Sequence, residues 1–212
     1  DGGGRGSGPV LSIERKSTYV KDMGDKVWFA DIPGSRGGLG FNTLLDGSPF
    51  QDVRVRKAVS LWIDKRARIK AGSGFGELFT LLSPKNPFNS PDFMKWPGWN
   101  GATRDADRAE AKRLLAEAGF ANGFKTELPC RNKGSSIRTC EFFQDQLRSL
   151  GVTIEIQPMD YSQFISYARI GLDAPLLAGG IAAYVTIPEG TESSIGTYDH
   201  TPYAVGKHND PK

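Results

Sequence analysis

The chain has very little histidine: only His200 and His208 occur in 212 residues. Both lie near the end, beside Asp199 and Asp210, where a solvated tail accounts for them better than a metal site does. No Ser-His-Asp, Cys-His or His-Glu-x-x-His arrangement can be assembled from histidines confined to that stretch, so the common nucleophilic and zinc hydrolases are excluded. Long apolar runs are missing as well; none approaches the ~18 residues that a membrane-spanning helix needs. Charge of one sign is not in excess either. The 27 basic and 24 acidic side chains leave a net charge of +3, and neither sign clusters enough to demand a nucleic-acid or anionic-membrane partner. A dinucleotide or phosphate-loop fingerprint is also lacking. Gly72-Ser73-Gly74-Phe75-Gly76 follows a predicted helix instead of a strand and has no Gly-Lys-Ser/Thr to complete it. Cysteine is sparse: Cys130 and Cys140 stand ten residues apart. They can be two small buried hydrophobes or a disulfide, and Cys140 fits a helix core face unaided.

What is present is a mixed pattern. A hydrophobic fraction of 38% suffices for a core, while 26 glycines and 13 prolines imply many loops. The opening Asp-Gly-Gly-Gly-Arg-Gly-Ser-Gly lacks the apolar segment of a signal peptide and reads as a lead-in; any export signal is expected outside these residues. Val10–Ile13 and Val27–Ile32 read as extended, with a charged turn at Asp22–Lys26, a flexible joint at Gly34–Gly38 and a short strand at Leu39–Thr43. Asp52 is a good N-cap for a helix that presents Val55, Ala58, Val59, Trp62 and Ile63 on one face and ends near Ala71-Gly72. From Ser73 to Gly101 the chain reads as a long aromatic-rich loop, in which Phe88, Phe93, Trp96 and Trp99 either stack on a ligand or pin the loop to the core. Asp105–Ala118 is an amphipathic helix stopped by Gly119. The remainder alternates: strand Lys125–Leu128, helix Ile137–Leu150, strand Val152–Gln157, helix Tyr161–Ile170 and strand Ala174–Ala178. Such β-α-β-α-β order predicts a parallel sheet with right-handed crossovers, with ligands outside the carboxyl ends of the strands.

Within Gly38–Arg66, the residues Phe41, Asn42, Thr43, Pro49, Phe50, Asp52, Val53, Arg54, Val55, Arg56, Ala58, Asp64 and Lys65 recur in an order that resembles the signature of the family 5 solute-binding proteins, the receptors of ABC importers. The stretch ADRAEAKRLLAEAGFANGF at residues 106–124 resembles a second recurring segment of that family. The resemblance implies an α/β fold, a periplasmic-binding-protein-like lobe with a largely parallel sheet flanked by helices. It also implies a periplasmic or extracytoplasmic binder of a peptide or other small polar solute, working with a membrane ABC permease and a second lobe of the same receptor. No cofactor, metal or nucleic acid is implied, and no enzyme activity. The expected division is a lead-in with inter-lobe strands over 1–38, a ligand-binding lobe over 39–188 and a polar tail over 189–212. Arg54 and Arg56 lie two apart on a helix, face different ways and cannot clamp one group together; Asp64 and Lys65 are expected in surface or inter-lobe ion pairs.

The ligand-binding candidates are Arg131 and Asn132, with Lys133, in the loop after the first strand of the alternating region. Tyr161 after the second, and Ala183 and Tyr184 after the third, complete the set. Arg131 is the nearest match to an arginine that helps hold the ligand in peptide-binding members. Those members typically carry Gly-Trp-x-x-Asp-Tyr at the third loop, the aspartate receiving the peptide's α-ammonium group. Here the run is Gly179-Gly180-Ile181-Ala182-Ala183-Tyr184, with Ala183 in the aspartate's place. A buried ammonium without a counter-charge is costly, so a different anchor is expected: a sugar, an opine-like anion or an unusual peptide. The competing readings are a small doubly wound nucleotide-binding enzyme and an interaction domain.

Overall fold

A computed structural model describes residues 13–26, 35–43, 45–71, 78, 90, 92–170 and 174–182. In chain order its elements are α1 (Ile13–Met23), β1 (Ser35–Phe41), α2 (Val53–Trp62), α3 (Lys65–Ala71), α4 (Arg104–Glu117), β2 (Phe124–Arg131), α5 (Gly134–Arg148), β3 (Val152–Met159), α6 (Tyr161–Phe164, continuing as a π-helical turn to Ile170) and β4 (Leu176–Ala182). The alternating order predicted downstream of residue 124 is therefore present. β2 and β3 pair in parallel, from Phe124 opposite Val152 to Arg131 opposite Met159.

The sheet departs from expectation at its other strand. β4 lies alongside β2, but its hydrogen-bonded ladder is with β1 and antiparallel, from Ser35 opposite Ala182 to Phe41 opposite Leu176. The expected flexible joint at Gly34–Gly38 is mostly strand, because Gly37 faces Gly180 and Gly38 faces Gly179. Ladder bonding to a partner outweighs the weak strand preference of glycine. At the N-terminal side, Ile13 opens a helix instead of closing a strand; eleven residues free of glycine and proline favour the helix over a short extended run. Val27–Ile32 lies outside the described residues.

Helix starts follow local chemistry. The Asp52 carboxylate accepts from the Arg54 backbone N–H at 2.8 Å, which caps α2 as the sequence indicates. The single helix expected to reach residue 71 is broken instead. Ile63 turns extended (φ −64°, ψ 127°), and Asp64 begins α3 by accepting the N–H groups of Arg66 and Ala67, each at 2.9 Å. An aspartate inside a helical pattern competes for backbone donors in this way.

One apolar core joins α2, α4, α5 and both sheets. Phe50, Val55, Ala58, Val59, Ala111, Leu115, Leu128, Leu147, Val152 and Leu176 are all buried. The Phe50 ring lies 5.3 Å from Phe41 and 5.6 Å from Phe124, which joins the start of β2 to the end of β1. Cys130 and Cys140 are bonded as a disulfide, so the reading of both as simple core hydrophobes gives way to a covalent tie between β2 and α5.

Candidate solute-binding edge

β2 and β3 end side by side, and their last rung sets the site. After Arg131 the Asn132 N–H donates to the Met159 carbonyl at 2.7 Å, carrying the pairing one residue beyond the strand. The chain then turns: Lys133 donates to Arg131 and Ser136 to Lys133, and α5 begins at Gly134. Beyond β3, Asp160 and Gln163 form a reciprocal capping box, in which Asp160 Oδ1 accepts from the Gln163 N–H at 2.9 Å. That box fixes Tyr161 at the first position of α6. The signal was in the sequence as Asp160-x-x-Gln163.

Arg131 and Tyr161 consequently meet. The guanidinium carbon lies 6.0 Å from the Tyr161 ring centroid. Tyr161 is 63% exposed, and Arg131, Asn132 and Lys133 are all exposed. A guanidinium resting on an aromatic face keeps its planar fork free to accept a carboxylate with two N–H donors. The positive end of the α5 dipole opens onto the same loop. Of the residues expected to bind ligand, Arg131, Asn132 and Tyr161 thus share one edge, while Ala183 and Tyr184 lie outside the described residues. Among the described residues no group of three or more His, Cys, Asp or Glu could hold a metal ion.

The charged residues of the signature stretch do structural work elsewhere. Arg54 clasps Asp52 (Nη2 to Oδ2, 2.6 Å) and donates to the Glu117 carbonyl; its hydrogen bond holds the Asp52 carboxyl below its ordinary pKa. Arg56 is buried and donates to the carbonyls of Phe50 and Gln51. Asp64 pairs with Arg104 at 3.4 Å, as expected of a surface ion pair. Lys65 corrects its expectation: it donates to the carbonyls of Ser60 (2.7 Å) and Gly98 (2.8 Å) and lies 5.0 Å from the Trp99 ring, so it clamps residues 92–100 onto α2. Burial pushes its pKa down to about 8. Phe93 is buried edge-on to Trp99, so these two pin the loop, whereas Trp96 is exposed. Phe88 is outside the described residues.

The architecture is that of a periplasmic binding protein. The Escherichia coli murein tripeptide binding protein MppA superposes with a TM-score of 0.69 at 20% identity, over 92% of this chain and 38% of that one. AgaA from A. tumefaciens R10, solved in complex with agropinic acid, gives 0.63 at 23% identity, over 84% and 35%. At these identities the likeness is one of fold. The family model "Bacterial extracellular solute-binding proteins, family 5 Middle" matches residues 10–191, and the chain belongs to that family. Among curated relatives, the glutathione-binding protein GsiB of Pectobacterium atrosepticum is 34% identical over 117 residues, 54% of this chain and 21% of its own length. GsiB of Escherichia coli K12 is 30% identical over the same shares. The matched stretch is thus about a fifth of those relatives. They are binding proteins by name, not enzymes, and the nucleotide-enzyme alternative finds no support. Among the described residues no helix is long and apolar enough to cross a membrane.

Proposed function

We propose that this chain forms part of one lobe of a periplasmic or extracytoplasmic receptor, which captures a small acidic solute and delivers it to an ABC permease. Residues 39–188 make the lobe in this reading, with 1–38 leading in and 189–212 a polar tail. The observation that carries it is Arg131 resting on Tyr161 at the carboxyl edge of β2 and β3. An exposed guanidinium oriented by a ring face is suited to a ligand carboxylate. The sequence has Ala183 where an aspartate would receive the solute's ammonium group, which favours selection by the acid over selection by the amine. Peptide-like acids without a free α-amine, and opine-like anions, meet that requirement. In this reading the protein serves transport, and its ligand is enclosed when a second lobe closes over this edge.

Calorimetric titration of the intact receptor tests this. Ordinary di- and tripeptides should bind more weakly than the same acids with a blocked amine. Micromolar binding of a mixed panel of unblocked peptides, lost on blocking the amine, would overturn the reading. In this reading the chain alone supplies one wall of the pocket, and a submicromolar ligand for it by itself would contradict that part.

A further inference from the structure

Cys130 and Arg131 are adjacent at the end of β2 and point opposite ways. Cys130 is 1% exposed and faces the core, whereas Arg131 is exposed at the edge. Cys140, also 1% exposed, sits in the second turn of α5, its Cα 6.5 Å from that of Cys130. Their bond closes a ring around Arg131, Asn132, Lys133 and the start of α5, the elements that make the solute-binding edge. Arg131 occupies the last rung of the β2–β3 ladder, where strands fray. Above that rung the described backbone bonds of the loop are those of Asn132 to Met159, Lys133 to Arg131, and Ser136 and Ile137 to Lys133. Water competes for each of those. The disulfide grips the same segment from beneath, within the core.

We propose that the Cys130–Cys140 disulfide is a positioning device: it holds the carboxyl end of β2 against α5 so that Arg131 stays over Tyr161 before ligand arrives. A loop ordered in advance need not be ordered at the expense of binding energy. The tie fits a chain working in an oxidising compartment. The ligand consequence rests on the proposed role of Arg131, whereas the positioning itself can be read without any ligand.

The test is amide hydrogen exchange on the full chain, comparing the parent with a Cys130→Val/Cys140→Ala variant that keeps the core volume. The amides of Asn132 and Lys133 should exchange at least about tenfold faster in the variant, with those of Leu128 and Ile154 unchanged. Unchanged rates at Asn132 and Lys133 would overturn the proposal. A parallel rise at all four would do so too, since it marks a general staple. If the variant does not fold, the parent is measured after reduction by dithiothreitol: the reagent's two thiols become a ring disulfide, and Cys130 and Cys140 each take up a proton. The same pattern is expected, and unfolding on reduction counts against positioning. Arg131→Gln separates the two ideas, because its exchange pattern should match the parent. An unchanged affinity for a bound acid in that variant would sink the anchor and leave the disulfide result standing.

Discussion

Gly123→Ala should damage this fold more than its small size suggests. Gly123 immediately precedes β2, and Gly151 immediately precedes β3. Gly123 has φ +76°, a left-handed conformation that disfavours a Cβ by about 1–2 kcal/mol. A Cβ built there would lie 1.9 Å from the Gly151 carbonyl oxygen, far inside contact. That oxygen already accepts the Phe124 N–H at 3.2 Å, the bond that starts the parallel ladder. The backbone must therefore shift and weaken that bond, adding about 1–1.5 kcal/mol and some strain, for a total of about 3 kcal/mol. Gly119→Ala is the control: its φ of +90° carries the same conformational penalty, but nothing lies within 4 Å of the new Cβ. Urea unfolding followed by tryptophan fluorescence separates them, since Trp62 is buried and its Nε1 donates to the Gln146 carbonyl. With a slope of roughly 2 kcal/mol/M, the Gly123→Ala midpoint should fall about 0.5–1 M below that of Gly119→Ala. Coincident midpoints would refute the idea that close approach of the two strand entries sets the register, and with it the placement of Arg131 opposite Met159.

Three further outcomes follow from the same packing. Phe50→Ala, which empties a fully buried site between Phe41 and Phe124, should lower stability by about 3–5 kcal/mol in urea titrations; Phe50→Leu should lose less. Asp52→Ala, removing a cap and the partner of Arg54, should cost about 1–2 kcal/mol, and Asp52→Asn should recover the cap at neutral pH. The Asp52 pKa is depressed when folded, so its contribution is present at neutral pH and is lost as pH falls through that lowered value; the Asp52→Asn variant, with no carboxyl to titrate at this position, should lack this acid dependence. Lys65 titrates at about 8 when folded against an ordinary 10.5. The unfolded chain then binds more protons between those values, so stability should rise with pH across that window, by about 1–2 kcal/mol after solvent screening. In Lys65→Met the rise should vanish; its persistence would show that another group causes it.

Much of this architecture is legible in the sequence where spacing and caps agree. The amphipathic faces of α2, α4 and α5 are plain in Val55–Val59–Trp62, Ala111–Leu115 and Cys140–Phe143–Leu147, and all of these are buried. The pairing of β1 with β4 was not legible, because strand partners far apart in sequence leave no local trace and both strands are rich in glycine. The break at Ile63–Asp64 was hidden by a continuing apolar period, and Lys65 read as a surface charge because its acceptors, the carbonyls of Ser60 and Gly98, are backbone atoms. At the site, Arg131 and Tyr161 could each be picked out from strand ends. Their meeting depends on the parallel register of β2 and β3, and the bond between Cys130 and Cys140 depends on how α5 packs.

The central claim is that Arg131 anchors an acidic solute at the β2–β3 edge. Calorimetric titration of the intact receptor and its Arg131→Gln variant with glutathione, an opine and amine-blocked tripeptides, each beside its carboxamide, tests it most directly. A charge-assisted contact is worth about 1.5–3 kcal/mol, so the acid that binds should lose at least about tenfold in affinity in the variant, and its carboxamide should be weakened little further. Equal affinity of receptor and variant for that acid would contradict the account.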